Sequence, residues 1–234
     1  MSNKKGSHVG MVLSFVIFVG FLLFLYTTLY PTVKQAEDKT EQLNNIKEVL
    51  LNEIYSNLTS ALIKTTQTTI CLNITKSELS SYPNFVLKNL ANSNLDYFVT
   101  SNTMSFKPTE VVTKMYSSPE FLENGTSISN CNTNLVLGSS YTLSAYKTES
   151  KIFLNKLNDL LEKIENAAEY KKLKETFSVP VDTEFRLIFE DSAGVIHGTI
   201  PENIKKNVIV YDMGIQYINS TADINNGKLK FVVW

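Results

Sequence analysis

Residues 9–30 read VGMVLSFVIFVGFLLFLYTTLY, a run without a charged side chain, and Pro31 follows it directly. About 20 apolar residues in a helix span the hydrocarbon core of a bilayer. A cleaved secretory signal has a shorter apolar region and ends at small residues, whereas this run ends in Leu29 and Tyr30. The run therefore predicts a transmembrane helix over residues 9–30, with a cleaved signal as the less favoured alternative.

The charges that flank this run predict its orientation. Lys4 and Lys5 precede it, whereas the following segment mixes Lys34 with acidic residues. Positive residues collect on the cytoplasmic side of a membrane helix. We therefore expect a single-pass protein of the cell membrane, with residues 1–8 as a cytoplasmic leader, the lipid bilayer around the helix, and the C-terminal domain extracytoplasmic.

The same N-terminus resembles that of archaeal type IV pilin-like (pseudopilin-like) proteins. Lys4, Lys5 and Gly6 resemble a prepilin-peptidase leader, and Ser7 would be the first mature residue. The resemblance implies processing between Gly6 and Ser7, and self-assembly or docking with pilin-type subunits through the N-terminal helix. Met11 stands at the fifth mature position, where the family has Glu, which favours a minor pseudopilin or a static anchor over a major filament subunit.

A helical pattern continues beyond the apolar run. Apolar residues recur at steps of three and four and predict a helix over residues 32–64. They are Leu43, Ile46, Leu50, Ile54, Leu58 and Leu62. We expect residues 31–66 to form an extracytoplasmic helix or stalk with a bend at Pro31. Its stripe would pack under the chain's own sheet or, as the less favoured alternative, form a coiled coil between chains.

The rest of the chain predicts an α+β domain in two parts. Residues 67–146 alternate in the manner of strands, and residues 147–234 contain a second long helix, over residues 148–177, followed by strands. We expect turns at residues 191–194 and at Asn226-Gly227. The predicted fold class is thus α+β, with a membrane helix that continues into an amphipathic helix and a mainly antiparallel head.

The two cysteines, Cys71 and Cys131, both fall on the predicted outer side. Disulfides persist in oxidising compartments, so we expect one bridge between them, with two buried free thiols as the alternative. Four N-x-S/T sequons make glycosylation possible on the same side. They are Asn57, Asn73, Asn124 and Asn219. Asn124 is the best single site, because it lies in a segment rich in Ser, Asn and Gly.

Residues suited to catalysis are scarce. The chain contains two histidines. His8 lies beside the membrane run, and His197 lies in a predicted strand with Asp191 and Asp212 as its nearest acidic candidates. Ser192 lies in a turn without the G-x-S-x-G pattern of a hydrolase. We therefore predict no catalytic residue, no metal site and no cofactor.

Charge and composition narrow the function further. The formal net charge of −1 offers no electrostatic basis for binding nucleic acid. We expect a non-enzymatic, membrane-anchored surface protein, namely a pilin-like structural or assembly component. The alternative is a membrane-tethered extracytoplasmic binding or sensory domain that acts with a partner protein.

Overall fold

The computed structural model describes residues 5–66, 71–75, 84–99, 103–122, 133–134, 141–199 and 208–234. It confirms an α+β chain with an apolar N-terminal helix and a mostly antiparallel sheet domain. In chain order the elements of this part are α1 (Lys5–Ile54), β1 (Tyr55–Thr65), β2 (Leu72–Thr75), β3 (Asn84–Lys88), β4 (Tyr97–Val99), β5 (Thr103–Phe106), β6 (Val112–Ser118), β7 (Thr133–Asn134), β8 (Tyr141–Phe153), α2 (Leu154–Glu165), α3 (Ala167–Thr176), β9 (Phe185–Glu190), β10 (Ile196–His197), β11 (Ile209–Ile218) and β12 (Ile224–Val233).

The strands form two sheets. The larger has eight strands in the order β10-β9-β12-β11-β8-β1-β6-β3, and the smaller has four in the order β4-β5-β2-β7. Neighbouring strands are antiparallel except for the β8–β11 and β2–β7 pairs, which are parallel. The β1–β8 ladder runs from Tyr55 opposite Ile152 to Thr65 opposite Tyr141. These two strands connect the two halves of the large sheet.

Two main cores lie on either side of this connection. The first contains side chains of α1, α2, β9, β11 and β12, and the second contains side chains of both sheets. The second core is therefore a sandwich between the smaller sheet and the β1–β6–β3 part of the larger one. A third, smaller cluster includes Leu58, Val86, Ile218 and Ala222, and it places the β11–β12 turn against β1 and β3.

The first helix ends ten residues earlier than the predicted helix over residues 32–64. α1 stops at Ile54, and Tyr55–Thr65 is strand β1, so the helix or stalk expected over residues 31–66 is wrong beyond Ile54. Leu58 and Leu62 have helical spacing, but together with Ser60 they also alternate with period two. Pairing with β6 and β8 on both sides stabilises the extended conformation.

The second long helix predicted over residues 148–177 is also wrong. Residues 148–153 belong to β8, because Ile152 and Phe153 pair with β11. The remainder is two shorter helices, α2 and α3, separated at Asn166. The Asn166 side chain accepts hydrogen bonds from the backbone N–H groups of Ala168 and Glu169, at 3.0 and 3.3 Å. This side chain is an N-cap and starts a new helix at Ala167.

One predicted turn is confirmed and the other is wrong. Gly194 N donates to Asp191 O at 3.0 Å in the turn between β9 and β10. Asn226-Gly227 instead lies inside β12, and the turn falls at residues 219–223, where Ala222 N donates to Asn219 O at 3.1 Å. Gly227 pairs with Ile215 in this strand, and only glycine fits there, because a Cβ at that position would lie 2.7 Å from the Phe189 ring.

Candidate functional site

The most distinctive surface of the molecule is the N-terminal half of α1. Gly10–Tyr30 is a segment of 21 residues with a mean hydropathy of 2.4, and none of it is buried within the protein. Phe15 is 66 % exposed and Phe18 is 57 % exposed. Large apolar side chains exposed around an entire helix are typical of a segment that lies in lipid. By length and composition, this helix is able to cross a membrane.

The few polar groups near the end of this segment suit an apolar surrounding. Thr27 Oγ1 donates to Phe24 O at 3.0 Å, and Thr28 Oγ1 donates to the same carbonyl at 2.8 Å. Both hydroxyls are thus satisfied within the helix, which removes most of the cost of placing them in lipid. The rings of Tyr26 and Tyr30 stack with centroids 5.1 Å apart. Tyr residues concentrate at the membrane–water interface, so these rings mark one end of the segment.

The C-terminal half of the same helix is part of the folded domain. Leu43, Ile46, Leu50 and Ile54 are all at most 4 % exposed and belong to the first core. Polar contacts support this packing. Thr183 Oγ1 donates to Gln42 Oε1 at 3.0 Å, and the Lys47 ammonium group lies 4.3 Å from the centre of the Tyr211 ring. The exposed segment is therefore connected to the domain core by a continuous helix that passes through position 31.

The predicted processing site lies at the start of this helix. Lys5 is its first residue, and Gly6 and Ser7 follow in the first turn. Proteolysis between Gly6 and Ser7 would therefore leave almost all of α1 in the mature chain.

The predicted disulfide is only half described. Cys71 directly precedes β2, whereas Cys131 lies outside the described residues. The register of the parallel β2–β7 pair places Leu72 opposite Thr133. Each cysteine therefore lies one or two residues before a paired position, and the bridge stays a prediction.

The four predicted glycosylation sites differ in environment. Asn57 is exposed on β1, and Asn124 lies outside the described residues. Asn73 is half-buried on β2, where its Oδ1 accepts a hydrogen bond from Ser105 Oγ at 2.5 Å. Asn219 Oδ1 accepts from Thr221 N and Asp223 N, at 3.0 and 2.9 Å. Of the three described, Asn57 is the most accessible to a modifying enzyme.

The structure brings His197 together with one of its two candidate partners. His197 Nε2 lies 3.2 Å from Asp191 Oδ2, and the imidazole stacks on the Phe189 ring at 5.5 Å. The other candidate, Asp212, instead lies 3.9 Å from the Lys230 ammonium group. His8 has no described side-chain environment. Within the described ranges, no group of three His, Cys, Asp or Glu side chains is placed to hold a metal ion.

The Asp191 carboxylate has a structural role in the β9–β10 turn. Its Oδ1 accepts the backbone N–H groups of Ala193 and Val195, each at 2.9 Å. The hydrogen bond from Val195, followed by that from His197, holds the pKa of Asp191 below its usual value. Ser192 Oγ lies 3.3 Å from the Tyr217 hydroxyl. These contacts stabilise the β9–β10 hairpin.

One polar contact has no signal in the sequence. Lys88, on β3, is only 2 % exposed and forms an ion pair with Asp223, in the β11–β12 turn. The two residues are 135 positions apart, so neither spacing nor a local motif could have predicted the pair.

Comparison of the chain with protein-family models, with curated proteins and with solved structures finds no match.

Proposed function

We propose that this chain is a single-pass, membrane-anchored surface protein with a pilin-like structural or assembly role and without catalytic activity. The observation that carries the proposal is the division of α1 into an exposed apolar half, Gly10–Tyr30, and a half built into the first core. A helix of this kind fixes the domain to whatever surrounds its exposed half. That surrounding is the lipid bilayer, or a bundle of N-terminal helices from pilin-type partner subunits or further copies.

The proposed topology has residues 1–8 in the cytoplasm and the domain outside the cell. Lys4 and Lys5, on the N-terminal side of the apolar run, support this orientation, and the Tyr26–Tyr30 stack fits the opposite membrane interface. An extracytoplasmic domain is also where the Cys71–Cys131 bridge and sugars on Asn57 would form. The β2–β7 register supports the bridge, since it joins the segments that follow the two cysteines.

The N-terminal peptide of the mature protein, isolated from native membranes, tests the pilin-like part of the proposal. A peptide that begins at Ser7 is expected, because the Lys4-Lys5-Gly6 leader would be removed by a prepilin-type peptidase. Mass spectrometry determines the first residue of this peptide directly. A peptide that still carries Lys5 and Gly6 would overturn the processed, pilin-like assignment.

Assembly through the helix is tested by photo-crosslinking in native membranes. We expect a photoreactive amino acid at Phe18 to yield crosslinked multimers or adducts with a partner subunit. The matched control places it at Val195, an exposed apolar residue of the domain. Crosslinks to lipid alone from position 18 would contradict assembly and favour a static anchor.

A second candidate function is a membrane-tethered extracytoplasmic binding or sensory domain that acts with a partner protein. The observation that favours it is a groove of about 390 Å³ on the domain, lined by residues of β1, β6, β8 and β12. This volume lies within the range of small-molecule sites.

A further inference from the structure

The groove lies mainly on the face of the large sheet opposite the second core, and Ala61, a residue of that core, also lines it at the register shift in β1. Leu58, Ser60 and Leu62 alternate along β1 and line the groove. Ile63, which follows Leu62 and belongs to the opposite face, is fully buried in the second core. Ile224, at the start of β12, forms one wall and is 58 % exposed. The groove thus lies where the two halves of the domain meet, a common position for ligand sites.

Positive charge surrounds this apolar floor. Lys114, Lys147 and Lys151 line the groove, and Glu149 is the carboxylate among its lining residues. Glu149 is shared, because its oxygens lie 2.9 Å from Lys147 Nζ and 3.8 Å from Lys151 Nζ. Lys114 Nζ donates to neutral acceptors, Leu90 O at 3.1 Å and Asn92 Oδ1 at 2.6 Å. The lining residues therefore carry an excess of two positive charges, three lysines against one carboxylate.

The backbone beside the groove is irregular. Ala145 has a φ of 54°, a left-handed conformation that a residue with a Cβ rarely adopts. It lies where the β1–β8 register shifts, between Ser60 and Leu62. Bulges and strained residues concentrate beside binding sites, where they redirect side chains. This irregularity is an observation independent of the charges.

We propose that this groove binds a small organic anion with an apolar body, of the class of aromatic or medium-chain carboxylates. The body would lie on Leu58, Leu62 and Ile224, and the carboxylate would accept hydrogen bonds from Lys114 and Lys147. Lys114 lies opposite Leu62 on β6, and Lys147 lies opposite Ser60 on β8. The two lysines therefore flank β1 and lie on the same face of the sheet as Ser60 and Leu62.

Tyr116 supplies a further donor. It lies opposite Ser60 across β1–β6 and lines the groove. The Tyr116 hydroxyl is protonated at neutral pH, as in any ordinary tyrosine, and is able to donate to an anion; burial raises its pKa further. A neutral ligand would leave the excess positive charge uncompensated, so the site favours the anion over an uncharged analogue.

Calorimetric titration of 2-naphthoate into the full chain in lipid nanodiscs tests the site, with empty nanodiscs as the blank. The variant K114Q/K147Q removes both proposed donors. The matched control, K228Q/K230Q, removes two lysines from β12, where they lie near Glu190 and Asp212. Neutral 2-naphthalenemethanol provides the same body without the charge.

We expect naphthoate to bind the wild type, and to bind K114Q/K147Q about tenfold or more weakly, since two charge-assisted hydrogen bonds are lost. Binding to K228Q/K230Q is expected to match the wild type, and naphthalenemethanol should bind about tenfold or more weakly than naphthoate. Any of three results would overturn the proposal: equal affinities of wild type and K114Q/K147Q, an equal loss in the control, or no binding of naphthoate at about 10 mM.

Discussion

At the scale of single residues, the ion pair between Lys88 and Asp223 joins parts of the chain that are far apart in sequence. Lys88 is 2 % exposed, whereas the Asp223 side chain is 46 % exposed. Thr221 Oγ1 and Asn219 Nδ2 also donate to Asp223 Oδ2, at 2.6 and 3.3 Å. A buried ammonium group is costly without its partner. Asp223 therefore holds the β11–β12 turn against β3.

The variant Asp223→Asn tests this role. It keeps the shape of the side chain but leaves the buried Lys88 ammonium group without its counter-charge. We expect the free energy of unfolding to fall by about 2 kcal/mol, less than for a fully buried pair because Asp223 is half exposed. Chemical denaturation of the full chain in nanodiscs measures it. In the control Asp212→Asn, whose side chain is 62 % exposed, a change within about 0.5 kcal/mol is expected. Equal effects of the two variants would contradict the account.

The same pair predicts how stability depends on pH. Burial raises the pKa of Asp223, but hydrogen bonds from Lys88, Thr221 and Asn219 outweigh it and hold the pKa below its usual value. The unfolded chain then binds the proton more readily, so this stabilisation is complete above the unfolded pKa of about 4 and is lost as the pH falls through the folded value. We expect the stability difference between wild type and Asp223→Asn to shrink below about pH 4. A stability difference that stays constant down to about pH 2 would contradict this prediction.

At the scale of elements, α1 has two halves with opposite surroundings, and its sequence predicts both. The uncharged run is exposed over Gly10–Tyr30, and the stripe at Leu43, Ile46, Leu50 and Ile54 is buried. The end of the helix could not be predicted in the same way. Beyond Ile54 the apolar residues fit period two as well as period 3.6. The segment is a strand because it pairs with β6 and β8, which are distant in sequence.

The division at Asn166 shows a signal that sequence reasoning could have used. Asn166 followed by Glu169 has the spacing of an N-cap with an acidic residue at the third helical position. The apolar spacing across residues 152–173 hides this signal, because it fits one long helix. The buried Lys88–Asp223 pair and the groove beside β8 have no comparable local signal, since both depend on contacts between distant strands.

A substitution in the buried half of α1 tests whether the helix is part of the domain core. Leu50 is 1 % exposed, so Leu50→Ala is expected to lower the free energy of unfolding of the domain by about 2–5 kcal/mol. Leu23→Ala is the matched control in the same helix, because Leu23 is 59 % exposed and contacts no core. We expect it to leave domain unfolding unchanged, measured by near-UV circular dichroism in nanodiscs. Similar losses from both variants would contradict the division of α1 into two halves.

At the scale of the whole molecule, the chain combines an exposed apolar helix with a domain of two main cores. The first core draws on residues 43–54 and 152–233, and the second on residues 61–141. Strands β1 and β8 connect the two cores, and the C-terminal half of α1 packs in the first core. The exposed half of α1 is thus continuous with the core formed by α1, α2, β9, β11 and β12.

Alkaline carbonate extraction of native membranes, followed by the intact mass of the extracted protein, tests the central claim most directly. The claim is that Gly10–Tyr30 lies in a bilayer while the rest of α1 belongs to the domain. We predict that the protein stays in the membrane pellet with a mass that includes residues 10–30. Release into the supernatant, or a chain that lacks residues 10–30, would contradict it.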